Sequence, residues 1–142
     1  MPGITDLKLL ISSMEPNLIE GEFVFCSLPP SALSDYAHLK PIGMFQEKEG
    51  MTLILPIDAA RQAKLPAEPA MRMISLDVHS LLEAVGLTAA FATALGNEDI
   101  SANVIAAYYH DHIFVPSADA ERAVAALKAL SNRSKNPDNS TR

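Results

Sequence analysis

A single cysteine, Cys26, rules out any disulfide within the chain. Its neighbours in FVFCSL are apolar and no basic residue lies close in sequence, so the thiol reads as a small buried hydrophobe and not as a nucleophile. Clustered basic residues are missing too, with 11 Lys and Arg against 17 Asp and Glu and a net charge of -6. Phosphate recognition needs grouped cations, which removes nucleic acid and anionic membrane surfaces from the list of partners. Neither is there an aromatic-rich strand motif of the kind RNA-recognition domains use. No uninterrupted apolar run is long enough to cross a bilayer. The first residues, MPGITDLKLLISSM, lack a basic leader and carry Asp6 and Lys8 in their apolar stretch, so they do not read as a signal peptide. These absences point to a soluble cytoplasmic protein.

Catalytic motifs are equally scarce. The one dense group of titratable residues is YYHDHIFVP, where His110, Asp111 and His112 lie between two apolar runs. Two polar residues between strand-like segments signal a hairpin, which places His110 and Asp111 at a solvated tip, with His112 and Phe114 on one face and Ile113 and Val115 on the other. A metal needs further ligands converging there, and His38 and His79 belong to no motif such as HExxH. The reading is therefore no metal, no cofactor and no catalytic residue. A small hydrolase using His79, His110 and His112 with Asp111 stands as an alternative, without a nucleophile, base and orienting group in any recognised pattern.

What is present is a regular alternation of short strands and helices. Thr5 is placed to cap a helix whose Leu7, Leu10, Ile11 and Met14 share a face, ended by Pro16. NLIEGEFVFCSL reads as strand with a bend at Glu20-Gly21. PPSALSDYAHLK is a connector with one or two helical turns. IGMF and MTLIL form a hairpin around Glu47-Lys48-Glu49-Gly50, and a short helix, DAARQAKL, follows Pro56. Beyond LPAEP, the strand MRMISLDVH sets Ile74, Leu76 and Val78 on one face and Met73, Ser75 and Asp77 on a wet or ligand-facing side. Gly86 opens a helix with Leu87, Phe91, Ala94 and Leu95 on one face, and Gly96 is positioned to end it in a left-handed conformation. Strands NVIAAYY and HIFVP and the helix ADAERAVAALKAL, with Ser117 as N-cap, complete the series. The polar stretch SNRSKNPDNSTR reads as a disordered tail.

The two halves repeat. LILPIDAARQAKL matches IFVPSADAERAVAAL with one residue inserted, each ending a hairpin strand at a proline before Asp-Ala-x-Arg. The implied fold class is α+β: two ferredoxin-like βαββαβ-type units with antiparallel sheets and helices on one face. Residues 1-70 form the N-terminal, degenerate unit, 71-130 the C-terminal unit and 131-142 the tail. No apolar strand follows Leu130, so each unit's last strand is either missing or contributed by a neighbouring segment, such as Leu18 to Leu28 or residues 71 to 78.

Over residues 72 to 130 the chain resembles the ACT domain family: MISLDV, then HSLLEAVGLTAAFATALG, then ISANVIAAYYHDHIFVPSADAERAVAAL. Residues 17 to 70 resemble it less, because no glycine-opened first helix is present there. The resemblance implies a regulatory module, without catalysis, that binds an amino acid or similar small molecule between paired domains, and so a homodimer. Where the family commonly has Asp-x-Pro-Gly, this chain has Glu83-Ala84-Val85-Gly86, keeping the glycine and changing Asp to Glu. Asn103 matches an Asn that the family often has before its second strand. The implied ligand-binding residues are Glu83, Val85, Gly86, Leu87 and Asn103. A helix N-terminus attracts a carboxylate, glycine lets it approach, and Glu83 would accept the ligand's ammonium group. An alternative stays open for the same residues: Gly86 serves only a tight turn, Glu83 the helix dipole and Asn103 a strand end. A purely structural oligomerisation module with no ligand is the corresponding functional alternative.

Overall fold

The structure, a computed structural model, describes residues 7-77 and 86-135. Along the chain run α1 (Leu7–Ser13), β1 (Glu15–Leu18), β2 (Phe23–Leu28), two 3-10 turns (Leu33–Asp35 and Ala37–Leu39), β3 (Gly43–Gln46), β4 (Met51–Pro56) and α2 (Ile57–Gln62). They are followed by β5 (Met71–Asp77), α3 (Leu87–Gly96), β6 (Asn103–Ala106), β7 (Asp111–Pro116), a 3-10 turn (Ser117–Asp119) and α4 (Ala120–Lys135). The elements fall into two compact units, one of Glu20–Arg72 and one of the chain up to Ile19 and from Met73 onward.

In the Glu20–Arg72 unit, β2 pairs antiparallel with β4 along its whole length and β4 with β3. The fourth strand is the opening of β5, where Met71 pairs with Phe23. The strand order β5-β2-β4-β3 is that of a ferredoxin-like unit. Alternation drives one face of these strands into a core of Val24, Cys26, Leu28, Met51, Leu53 and Leu55, closed by Ile57 and Ala60 of α2. Where the first crossover helix of such a unit would stand, the chain makes only the two 3-10 turns. Gly50 allows β4 to start against β2, since a Cβ there would run into the Leu28 carbonyl oxygen.

The other unit has the order β1-β5-β7-β6 and the same plan. Its fourth strand is β1, from the N-terminal end of the chain, with Glu15, Pro16, Asn17 and Leu18 opposite Asp77, Leu76, Ser75 and Ile74. Of the two donors considered from sequence, the strand of residues 71 to 78 completes the Glu20–Arg72 unit, whereas Leu18 to Leu28 does not complete this one, Leu18 being only the last residue of β1. Pro16, read as a helix terminator, lies inside this strand; an edge position tolerates a residue with no N–H to donate. Ile74, Leu76, Ile113 and Val115 from the sheet meet Leu87, Phe91 and Leu95 of α3, Ala120, Ala123 and Leu127 of α4, and Leu10, Ile11 and Met14 of α1. Ser131, 3 % exposed, fastens α1 to α4 by donating its hydroxyl to the Ser12 carbonyl at 3.1 Å or the Met14 carbonyl at 3.3 Å. The helix therefore runs on to Lys135, into the stretch read as a disordered tail from 131.

The duplication is visible in the backbone. Pro56 before α2 has φ -54 and ψ 138, and Pro116 before the 3-10 turn leading to α4 has φ -53 and ψ 139. Ser117 is consequently the first residue of that turn and not an N-cap. Gly96 stays helical. The left-handed residue that ends α3 is Asp99 (φ 57), with the Asp99 N–H on the Gly96 carbonyl and the N–H of buried Ile100 on the Leu95 carbonyl, a Schellman arrangement.

Candidate functional site

Gly86 is the N-cap of α3 in the left-handed conformation, φ 91 and ψ -13, and among the described residues no side-chain hydrogen bond caps the helix. Its carbonyl accepts the Ala90 N–H at 3.0 Å, so the N–H groups of the first turn before Ala90 have no acceptor within the helix. A Cβ at position 86 would come within 3.1 Å of the Leu7 side chain, which places α1 beside this helix end. Leu87 turns its side chain into the core and offers the site only its backbone. Asn103 opens β6, is exposed, pairs with Phe114, and donates its amide to the Phe114 carbonyl at 3.3 Å. Glu83 and Val85, like His79, lie outside the described residues. Of the five candidates, Gly86 and Leu87 share one helix turn, while Asn103 belongs to the edge strand.

The histidine cluster is arranged differently from the solvated tip expected. The Ala107 N–H donates to the His110 carbonyl and Ala106 pairs with Asp111, so the tip is Tyr108-Tyr109, with side chains 76 % and 77 % exposed and rings 5.0 Å apart edge to face. His110 and Asp111 stand on the β7 side and are half-buried. Register explains the shift: with Val104 opposite Ile113 on the helix face, the two-residue turn can only fall at 108 and 109. Neither tyrosine takes a positive φ, so the turn dispenses with Asn-Gly chemistry.

Behind the tip, Asp77 at the end of β5 lies 3.4 Å from His110 Nδ1 and accepts a hydrogen bond from the Asn17 amide at 2.7 Å. The His110 and His112 rings are 6.4 Å apart, and the Nδ1 atoms of both are buried with no hydrogen-bond partner among the described residues. His110 Nδ1 is thus near Asp77 without being aligned to it as a hydrogen bond. Burial pushes the His112 pKa below its ordinary 6.5, as does the neighbouring His110, against the opposing pull of Asp111 and Asp77. Burial also raises Asp111 above its ordinary 3.8, offset in part by His112. Among the described residues the contacts of Asp77 are with His110 and Asn17, and no hydroxyl or thiol takes part. Among the described residues no three His, Cys, Asp or Glu side chains are grouped to hold a metal ion. Cys26 is buried, its thiol pKa raised by burial, and its S–H points to the Pro66 carbonyl at 3.7 Å. No helix among the described residues is long and apolar enough to cross a membrane.

The buried Ser131 and the strand lent by β1 were missed by sequence reasoning; a serine amid the apolar period of α4 was the only signal for the first.

The chain matches two models described as ACT domain, over residues 2–72 and 67–129. Among solved structures, a Vibrio cholerae protein of unknown function, described as a possible transport protein, is 52% identical, with a TM-score of 0.82 over 89% of this chain and 97% of that one. An Agrobacterium tumefaciens protein is 16% identical, with a TM-score of 0.70 over 83% and 89% of the two chains. The regulatory subunit of aspartate kinase from Thermus flavus is 13% identical, with a TM-score of 0.58 over 82% and 95%. No curated protein matches the chain. Two ferredoxin-like units of matching strand order, in a chain whose residues 2–129 are spanned by the two family models, establish that the chain belongs to the ACT domain family.

Proposed function

We propose that this protein is a cytoplasmic, homodimeric regulatory or sensor module without catalytic activity, which binds a small molecule, an α-amino acid, at the N-terminus of α3. The observation that carries the reading is Gly86: a left-handed N-cap without a side chain, in front of first-turn N–H groups that no side chain among the described residues caps. That arrangement suits a carboxylate through both its partial charge and its donors. Glu83, by sequence, supplies the countercharge for an ammonium group. The fold likeness to an aspartate kinase regulatory subunit supports a regulatory role. The 3-10 turns of the Glu20–Arg72 unit offer no equivalent helix end, so the reading implies one ligand per chain.

A thermal-shift panel of the common amino acids and nucleotides tests it. A ligand present at a hundred times its dissociation constant stabilises the native state by about 2.7 kcal/mol, seen as a raised melting temperature. Calorimetry should then give one site per chain and weaker binding by Glu83→Gln, which keeps size and removes charge. Equal binding by the variant and the wild type would falsify the placement. A panel with no ligand at all would favour the second reading, a structural oligomerisation module, which the exposed Phe45, Tyr108 and Tyr109 support. The hydrolase reading has the least support, since among the described residues the contacts of Asp77 involve His110 and Asn17 and no nucleophile.

A further inference from the structure

The hairpin joining β6 to β7 carries a row of four rings. Tyr108 and Tyr109 stand at its tip, 76 % and 77 % exposed, with centroids 5.0 Å apart. The Tyr109 ring lies 6.5 Å from that of His110, and His110 lies 6.4 Å from His112. Register places the turn at 108 and 109, but nothing in a two-residue turn calls for aromatic rings; Asn, Asp and Gly are the residues it favours. A single exposed apolar side chain needs no explanation, whereas adjacent exposed tyrosines offer a rigid contact area of the kind that binding surfaces are rich in.

Charge decides what the row can receive. Between Arg72 and Arg122 the sequence has no Lys or Arg and seven Asp and Glu residues. Asp77, about half exposed and held by the Asn17 amide at 2.7 Å, keeps a carboxylate oxygen 3.4 Å from His110 Nδ1. Glu15 stands opposite Asp77 across the β1–β5 pair, and the carboxylates of Asp111 and Asp77 both act on His112. His112 adds no opposing charge at neutral pH, since burial and the neighbouring His110 hold its pKa below the ordinary 6.5. Rings beside carboxylates suit a cation. A row of rings can also stack nucleic-acid bases, but that use needs cations for the phosphates, and this stretch supplies anions. Among cations, guanidinium fits best: it is planar, weakly hydrated and stacks on ring faces, while its fork of donors matches a carboxylate.

We infer that the β6–β7 hairpin tip is a docking site for an arginine-bearing, extended segment of a partner protein, with guanidinium groups stacked on Tyr108 and Tyr109 and another on the Asp77 carboxylate. Spacing favours the extended form. Every second side chain of such a segment falls on one side, about 6.6 Å apart, close to the 6.5 and 6.4 Å steps between the rings. The inference stands apart from the amino-acid site and gives the regulatory module a surface through which to act.

Fluorescence anisotropy on the full chain, with a fluorescein-labelled Gly-Arg repeat peptide as the probe, tests it. Tyr108→Ala and Tyr109→Ala should each weaken binding about two- to fivefold, and the double variant about tenfold. Asp77→Asn should weaken it as well. Phe45→Ala, on β3 of the other unit and 71 % exposed in the wild type, should leave it unchanged. A Gly-Lys repeat should bind more weakly and a labelled oligothymidylate not at all. The inference is overturned if the wild type does not bind the Gly-Arg peptide, if the double variant binds it equally well, or if the Gly-Lys repeat matches it. Tighter binding of the oligothymidylate overturns it too, and would make the row a base-stacking platform. If circular dichroism shows that a variant has lost its fold, an NMR titration of the wild type decides: the ring protons of Tyr108 and Tyr109 should shift as peptide is added, and shifts that spare both overturn the inference. No amino-acid ligand is present in these titrations, so a failure of the thermal-shift panel leaves their result untouched.

Discussion

A fragment beginning at Met71 should not fold, although it holds nearly all of the second ACT-model match. It retains β5, α3, β6, β7 and α4 and loses β1 and α1, and with them Leu10, Ile11 and Met14, which are 0 %, 8 % and 2 % exposed. Burying a side chain of this class contributes about 1.5–3 kcal/mol, so the three together contribute about 5–9 kcal/mol. The lost pairing of β1 with β5, the Ile19 N–H bond to the Met73 carbonyl and the Ser131 bonds to α1 add further terms of about 0.5–1.5 kcal/mol each. Native domains are stable by only about 5–15 kcal/mol in all, so the deletion takes a share comparable to the whole. Far-UV circular dichroism during urea titration should show no cooperative transition for the fragment. A permuted chain that restores residues 1-19 through a flexible linker after Lys135 should recover one. A fragment that unfolds cooperatively at the full chain's urea midpoint would refute the assignment of β1 as a structural strand of this unit.

Three smaller tests follow from individual residues. Ser131→Ala leaves the Ser12 and Met14 carbonyls without their donor in a buried place, and should cost about 1–3 kcal/mol in urea unfolding; an unchanged midpoint would mean the hydroxyl does not hold α1. Gly50→Ala drives a methyl into the Leu28 carbonyl oxygen and should lower the melting temperature by several degrees, whereas Gly21→Ala, with nothing within 4 Å but φ 95, meets only the backbone preference of about 1–2 kcal/mol. For His112 the folded pKa is depressed, so the unfolded chain takes up its proton first as pH falls through 6.5, and the native state loses stability from there down to the folded pKa. His112→Asn should flatten that acid-side loss in urea midpoints compared between pH 7.5 and 5.5, and an unchanged slope would count against the cause.

The strand cores were legible because period two is hard to disguise. Ile74 and Leu76, and Ile113 and Val115, alternate into the core as their sequence requires. So were the β3–β4 hairpin and the duplication, which the matched dihedrals of Pro56 and Pro116 support. The errors arose where a local cue competed with a longer-range demand. Polarity pointed to His110-Asp111 as the hairpin tip, while the need to bury Val104 and Ile113 on one face put it at two tyrosines. Glycine pointed to Gly96 as a helix end, but Asp99 takes the left-handed role, as Lys64 does after α2, because the six-residue bond from Leu65 to the Ala60 carbonyl closes regardless of the side chain between. β1 was illegible because its Pro16 and Asn17 break the apolar pattern; only its place at an edge makes those residues acceptable. In the candidate site, the left-handed glycine could be anticipated from its position before an apolar helix, whereas the approach of Leu7 to it could not, being a contact between residues far apart in the chain.

Divergence within the duplication bears on function as well as on fold. The two units keep their strand order and the backbone at the proline before the second helix. They differ at the first crossover: α3 with its glycine N-cap in one, a pair of 3-10 turns in the other. A 3-10 turn of three residues has no aligned stack of peptide dipoles behind it, so it cannot present a carboxylate with the field or the row of donors that a ten-residue helix does. What the Glu20–Arg72 unit retains is its sheet and the β3 edge, with Phe45 71 % exposed. Under the proposed function, ligand recognition falls to the unit with α3, and the unit with the 3-10 turns serves as scaffold.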